Sequence, residues 1–465
     1  MRPFLFIFFA FSLLSCYQMS SDSIVEGTLE VPENRNDPNS RSLFLKYKVL
    51  KALSPDSLKA PIVYLQGGPG GATLIMEKYF LEHPLRKDRD IVLMDQRGTG
   101  ESSAICTDLG QSVFELMRQN LNLTENVKAT QALLASCKKY AENNNVDLAG
   151  YNSRENAADF EDLRKSLGYE AWNIHGSSYG TRLGLTFMRD FPGGIRSAVF
   201  AGVLPIESGD LASKVLNIER SLDLVFENCT SNPNCHSRFP DLKNRLKTVL
   251  TTLDETPWHL KYKGNDFVLN AHDAFSLIIL QLYDRRTIGQ IPSFIEALEN
   301  KDTKPIVHSL QGYEPFIGMV NIAMHYSVMA YEEFPFSPME KIDEAIKNAH
   351  FKNAYASTLP FYEIIADWHP YRAAPIENEA VVSDIPTLLI SGEFDPATPP
   401  FDALSTQKHL VNGYAVVFEN ESHHFSNPCL TQIITDFIDS PFQKPNMDCS
   451  SKVAPIPWDL ERQNP

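Results

Sequence analysis

Short apolar runs, each bounded by Gly, Pro or charge, alternate with longer stretches of helical spacing through the first two hundred residues of this chain. This alternation constrains the fold more than any other feature, because buried strands joined by crossover helices build a parallel sheet covered on both faces. Ile24 to Val31 and Leu43 to Val49 read as a leading antiparallel pair. Pro61 to Leu65, Asp90 to Met94, Trp172 to His175 and Ser197 to Ala201 read as buried parallel strands, and Thr387 to Ile390 and Ala415 to Phe418 follow much later. The expectation is an α/β fold with an eight-stranded, mostly parallel sheet.

The gap before the last two strands, residues 206–375, carries helical spacing at Leu211 to Glu227, Leu242 to Leu253, Ala271 to Tyr283, Ile291 to Glu299 and Met339 to Lys347. It reads as a large helical cap inserted into one core, with β-alternation scarce. The core itself then comprises residues 22–205 and 376–452. A chain of 465 residues is too long for one compact unit at about 150 residues per domain, which fits a core plus an insertion. The net charge of −16 argues against nucleic acid as a partner, since that would require a basic face.

The first residues stand apart. Arg2 precedes an apolar run from Phe4 to Leu14, too short to span a bilayer but suited to the core of an export signal. Leu13-Leu14-Ser15-Cys16 resembles the bacterial lipobox, which implies removal of residues 1–15 and acylation of Cys16. The expected location is the bacterial periplasm or outer membrane, with membrane contact only through that anchor; a soluble secreted protein is the alternative. The other six cysteines, Cys106, Cys137, Cys229, Cys235, Cys429 and Cys449, form an even set that reads as disulfides in an exported chain. Pairing of sequence neighbours closes the shortest loops and is the expected connectivity. No Cys-x-x-Cys pair or His spacing suggests a metal, so no metal is expected.

Chemistry concentrates at the expected strand ends. Gly176-Ser177-Ser178-Tyr179-Gly180 lies between a strand and a helical stretch, the setting of a nucleophile at a sharp turn, where flanking positions must lack side chains. Gln66-Gly67-Gly68-Pro69-Gly70-Gly71 follows the strand ending at Leu65 and can aim backbone N–H groups at an oxyanion; Gly68 and Tyr179 are the expected donors. Gly392-Glu393-Phe394-Asp395-Pro396 and Glu421-Ser422-His423-His424-Phe425 follow the last two strands. They supply an acid, Asp395, and an imidazole from one of two adjacent histidines, in the chain order Ser, Asp, His.

These motifs, with Asp95-Gln96-Arg97-Gly98-Thr99-Gly100-Glu101-Ser102, resemble the tripeptidyl and prolyl aminopeptidase-like serine exopeptidases of the α/β-hydrolase superfamily. The likeness extends to the C-terminal stretch bearing Cys429 and Cys449. It departs at Gln66, where the family's His-Gly-Gly-Pro-Gly has His. The resemblance favours His423, which follows the small Ser422, over His424. It implies a cofactor-free exopeptidase acting on peptides with a free N-terminus, whose ammonium group a buried carboxylate would bind. Ser327 to Glu332 resembles the family's Ser-Val-x-Cys-x-Glu cap segment, with Ala330 in place of Cys. Glu332 is the amine-binding candidate, followed by Glu333 and Glu207. A carboxylic ester hydrolase using the same triad, or a non-catalytic binding protein on this fold, are the alternatives.

Overall fold

The computed structural model describes residues 23–208, 211–355, 364–365, 367–425 and 427–461. The export segment and Cys16 lie outside the described residues. Eight strands form one sheet: β1 (Ile24–Pro32), β2 (Ser42–Leu50), β3 (Ile62–Leu65), β4 (Ile91–Met94), β5 (Trp172–Ser177), β6 (Ile195–Ala201), then β9 (Thr387–Gly392) and β10 (Gly413–Phe418). Their spatial order is β1-β2-β4-β3-β5-β6-β9-β10. β2 pairs antiparallel with both β1 and β4, and all other neighbours are parallel. Each of the expected strands is present, with ends shifted by no more than two residues.

The central strands read as unbroken apolar runs because both faces of the sheet are covered. Ile62 and Tyr64 of β3 join one apolar cluster with Ile91, Leu93, Leu388 and Phe437. Val63 and Leu65 point the other way, into a cluster with Val92, Met94, Leu183 and Phe187. A third cluster is built mostly from residues of the interval between β6 and β9, joined by Ile105, Leu109, Phe114 and Leu134 from the segment after β4.

In that interval the helices Leu211–Ser231, Leu242–Glu255, Ala271–Gln281, Ile291–Asn300 and Met339–Asn348 match the helical spacing. The interval also holds elements that the spacing does not mark, two of which run against the local pattern. Thr303–Gly318 is a helix despite Pro315 inside it. A hairpin of β7 (Trp258–Tyr262) and β8 (Asn265–Leu269) interrupts the helices. Its buried Trp258, Leu260 and Tyr262 alternate with exposed His259 and Lys261, and Lys263 and Gly264 turn it at φ 50° and 81°. Five residues of alternation are too short to stand out against helical neighbours in sequence.

Cys106–Cys137, Cys229–Cys235 and Cys429–Cys449 are disulfide-bonded, the neighbour pairing expected. They mark an oxidising compartment, extracellular or periplasmic. Among the described residues no helix is long and apolar enough to cross a membrane.

The Asp95-Gln96-Arg97 motif after β4 ties the leading strands to the sheet. The Arg97 guanidinium is fully buried, donating from Nε and Nη2 to both carboxylate oxygens of Asp159 at 2.7 Å and from Nη1 to the Gly150 carbonyl at 2.6 Å. Arg35 reaches the same carboxylate from the surface, 2.8 Å from Asp159 Oδ1. Removing one member of a buried pair strands the other's charge. Arg97→Met is expected to cost about 3–5 kcal/mol, read as a lowered urea midpoint; a change below about 1 kcal/mol would show that Arg35 alone suffices to hold Asp159.

Candidate active site

β5 runs directly into the helix Tyr179–Asp190, and Ser178 between them adopts φ 55°, ψ −126°. A non-glycine residue held there costs about 1–3 kcal/mol and persists only where its surroundings over-determine it. The surroundings are backbone. A Cβ on Gly176 would stand 2.5 Å from the Gly180 carbonyl oxygen, one on Gly180 2.0 Å from that of Leu65, and one on Gly67 2.9 Å from Ser178 Cβ. Three chain segments thus cross so closely that only glycine fits, and the crossing pushes Ser178 out at the carboxyl edge of the sheet.

The glycine-rich loop after β3 is fixed from below by Asp95. Its Oδ1 accepts the Thr73 and Leu74 amides at 2.6 and 2.8 Å, and its Oδ2 accepts the Glu101 amide at 2.9 Å. Gln96 Nε2 donates to the Gln66 carbonyl at 2.8 Å. From above, the Asn321 amide donates to the Gly70 carbonyl at 2.8 Å. Gly68 and Gly70 lie at φ 127° and 99°, where a side chain would be strained.

Asp395 and His423 meet across the ends of β9 and β10, with His423 Nδ1 2.8 Å from Asp395 Oδ2. The other carboxylate oxygen accepts the Ala397 and Thr398 amides, each at 2.8 Å, and Thr398 Oγ1 donates to Oδ2 at 2.7 Å. Burial pushes this carboxyl up, but His423 and the hydrogen bonds outweigh it and hold the group below its ordinary value. An ionised Asp395 keeps the proton on His423 Nδ1 and leaves Nε2 as the basic nitrogen. His424 is exposed, and its backbone N–H donates to the Tyr283 carbonyl at 2.8 Å.

A cavity of about 230 Å³ opens over the serine, lined by Gly68, Ser178 and Tyr179 from the core and by Lys214, Tyr283, His325 and Glu333 from the interval above it. The structure separates the three acids singled out in the sequence. Glu332 and Glu333 share a turn of π-helix, Met329–Glu333, and face different ways. The Glu332 carboxylate accepts the Ser153 amide at 2.9 Å, the Ser153 hydroxyl at 2.8 Å and Arg182 Nε at 2.9 Å, away from the cavity wall. Glu333 is on the wall, 3.0 Å from Lys214 Nζ. Glu207 stands apart from both, where its charge acts on Asp402.

Sequence reasoning misses several residues that shape this site. Arg220 donates to the main-chain carbonyls of Glu393 and Asp395 at 3.0 and 2.9 Å, clamping the acid loop. Tyr283 sets its ring edge-on to His423 at 5.0 Å between centroids. Lys214 sits on the helix Leu211–Ser231 and Tyr283 in the turn after the helix Ala271–Gln281, both distant in sequence from every motif, so no local pattern points to them. Thr398 was within reach: a Thr three residues after an Asp on a loop is a local side-chain-to-backbone turn pattern.

Asp402, buried behind Asp395, has its carboxyl pushed up to about 7 by burial and then by the charges of Asp395 and Glu207. An unfolded Asp titrates near about 4. Between about 4 and 7 the folded protein therefore holds a proton that the unfolded chain has lost, so this group makes stability fall as pH rises through that window. Asp402→Asn should flatten the decline, its urea midpoint matching wild type near pH 4 and exceeding it increasingly up to pH 7; parallel curves would overturn this.

Two family profiles agree with the architecture. The family profile described as "alpha/beta hydrolase fold" matches residues 60–271, and that described as "TAP-like protein" matches residues 361–449. A "Probable proline iminopeptidase" of Streptomyces coelicolor is 29% identical over 208 residues, 42% of this chain and 48% of that protein. A "Tripeptidyl aminopeptidase" of Streptomyces lividans is 31% identical over 153 residues, 31% of this chain and 28% of that protein. The chain thus spans less than half the length of the curated relatives it matches. The crystal structure of proline iminopeptidase from Mycobacterium smegmatis aligns at TM-score 0.44 and 15% identity, covering 90% of this chain and 99% of that one. The chain has the α/β-hydrolase fold with a TAP-like C-terminal segment, and over part of its length it is similar to proteins named proline iminopeptidase and tripeptidyl aminopeptidase.

Proposed function

We propose that this hydrolase is a serine exopeptidase that removes short pieces from the free N-terminus of peptides through an acyl-enzyme on Ser178. The observation that carries the reading is a buried carboxylate, Glu333, on the wall of the same cavity as the serine. A simple esterase has no use for an anion beside its acyl site, whereas an α-ammonium group would be held there by a charge-assisted hydrogen bond. Of the three acids, Glu333 takes this role best, because it alone lines the cavity and its partner Lys214 is partly exposed and displaceable, whereas Glu332 is held away from the wall by Ser153 and Arg182.

In the mechanism, His423 Nε2 takes the proton of Ser178 as Oγ attacks the scissile carbonyl. Asp395 holds the imidazole in the right tautomer and stabilises the imidazolium. The amides of Gly68 and Tyr179 receive the oxyanion. The imidazolium then protonates the leaving amine, and water, activated by the same base, releases the acyl group. No cofactor enters the scheme. The proposed setting is the periplasm or outer membrane, with the chain tethered by a lipid on Cys16; metabolic labelling with a fatty-acid analogue that Cys16→Ala abolishes would support the tether.

Ser178→Ala is expected to abolish covalent labelling by a fluorophosphonate and to lower kcat by about 10⁴-fold or more; undiminished labelling would place the nucleophile elsewhere. Glu333→Gln should lower the ratio of free-amine amide cleavage to acetyl-ester cleavage about tenfold or more, the worth of one charge-assisted hydrogen bond. An unchanged ratio would favour the ester hydrolase.

A further inference from the structure

Among the described residues that line the cavity, two carry charge, and they have opposite signs. Lys214, from the helix Leu211–Ser231, places Nζ 3.0 Å from Glu333 Oε2 and 3.8 Å from the Met329 sulfur. The rest of the wall is apolar or uncharged, including Leu204, Ile218, Ile279 and Met329. His325 also faces in, but burial and then the charge of Lys214 hold its imidazole down at about 4, so it is neutral near pH 7. Its Nδ1 lies 3.1 Å from the Pro69 carbonyl.

The Lys214 ammonium therefore occupies the carboxylate that the exopeptidase reading reserves for the substrate. A substrate bringing only an α-ammonium must displace Lys214 to solvent, so that one ion pair merely replaces another and little is gained beyond the exchange. A substrate bringing an ammonium and a carboxylate together can trade partners: its ammonium goes to Glu333 while its carboxylate receives Lys214. Two ion pairs then replace one. On an N-terminal Asp or Glu the two groups are separated by only two or three carbons, short enough to meet a lysine and a glutamate that touch each other.

We infer that the Lys214–Glu333 pair is a specificity device that selects peptides whose free N-terminal residue bears a side-chain carboxylate. The inference rests on the exopeptidase reading, and it assigns Lys214 as a substrate-binding residue for the acidic side chain. It also accounts for a lysine, 39% exposed, being directed inward at the serine's cavity instead of out to solvent.

The test compares kcat/KM of the full-length protein on matched fluorogenic mono-, di- and tripeptide amides starting with Glu or Gln, each with a free and an acetylated N-terminus. The expected result is a Glu-to-Gln preference of about tenfold or more, the worth of roughly one exchanged ion pair at 1.4 kcal/mol per decade. That preference should vanish in Lys214→Met and survive in Lys214→Arg. A free-amine requirement with a Glu-to-Gln ratio near one in wild type overturns the inference alone. So does a preference that survives Lys214→Met, since the carboxylate is then read elsewhere. Equal cleavage of the acetylated series overturns the exopeptidase reading and the inference with it. The wild-type ratio needs no variant, so the test stands even if Lys214→Met fails to fold.

Discussion

The site depends on a steric constraint: there is no room for a side-chain carbon where β3, β5 and the helix Tyr179–Asp190 cross. Gly176 and Gly180 let the chain reverse within a few residues, and Gly67 lets the neighbouring loop approach the serine. Only because these three positions are empty can Ser178 be held at φ 55° at the edge of the sheet. The strain is local, and the buried strands on either side maintain it. Their alternating side chains fill both faces of the sheet and fix its register.

The interval above the sheet is tied to the loops that follow the last two strands. Arg220 and Ser221 hydrogen-bond the main-chain carbonyls of residues 393–395, and Ser422 Oγ donates to the Leu282 carbonyl. Tyr283 meets both histidines after β10. The loops carrying Asp395 and His423 are therefore shaped as much by the helices above them as by the strands that precede them. A buried network joining Glu332, Ser153, Arg182 and the Tyr179 hydroxyl does the same on the serine side.

Two adjacent acids show how geometry divides similar residues. In a π-turn, successive side chains fan around the helix, so Glu332 and Glu333 cannot share an environment. Glu332 meets Arg182, both nearly inaccessible, and is spent on holding the cap to the helix behind the serine. Glu333 meets Lys214, whose flexible stem reaches in from a surface helix and can move away. The first pair is bound by four groups in a dry setting. The second faces an open cavity and is able to exchange partners.

The sequence alone determined the sheet, because two buried faces require unbroken apolar runs and crossover helices require periodic ones, and both patterns are local. It also determined the places of Ser178, Asp395 and His423, since each follows a strand and the elbow's glycines are dictated by backbone crowding that any chain with this turn must meet. The hairpin at Trp258–Leu269 and the helix through Pro315 escaped it, the one too short for its period to register and the other against its local propensity. Only the tertiary structure decided which acid faces the serine. Which way a side chain points from a π-turn, and which distant lysine meets it, depends on the packing of helices far apart in the chain, and no short stretch of sequence records that.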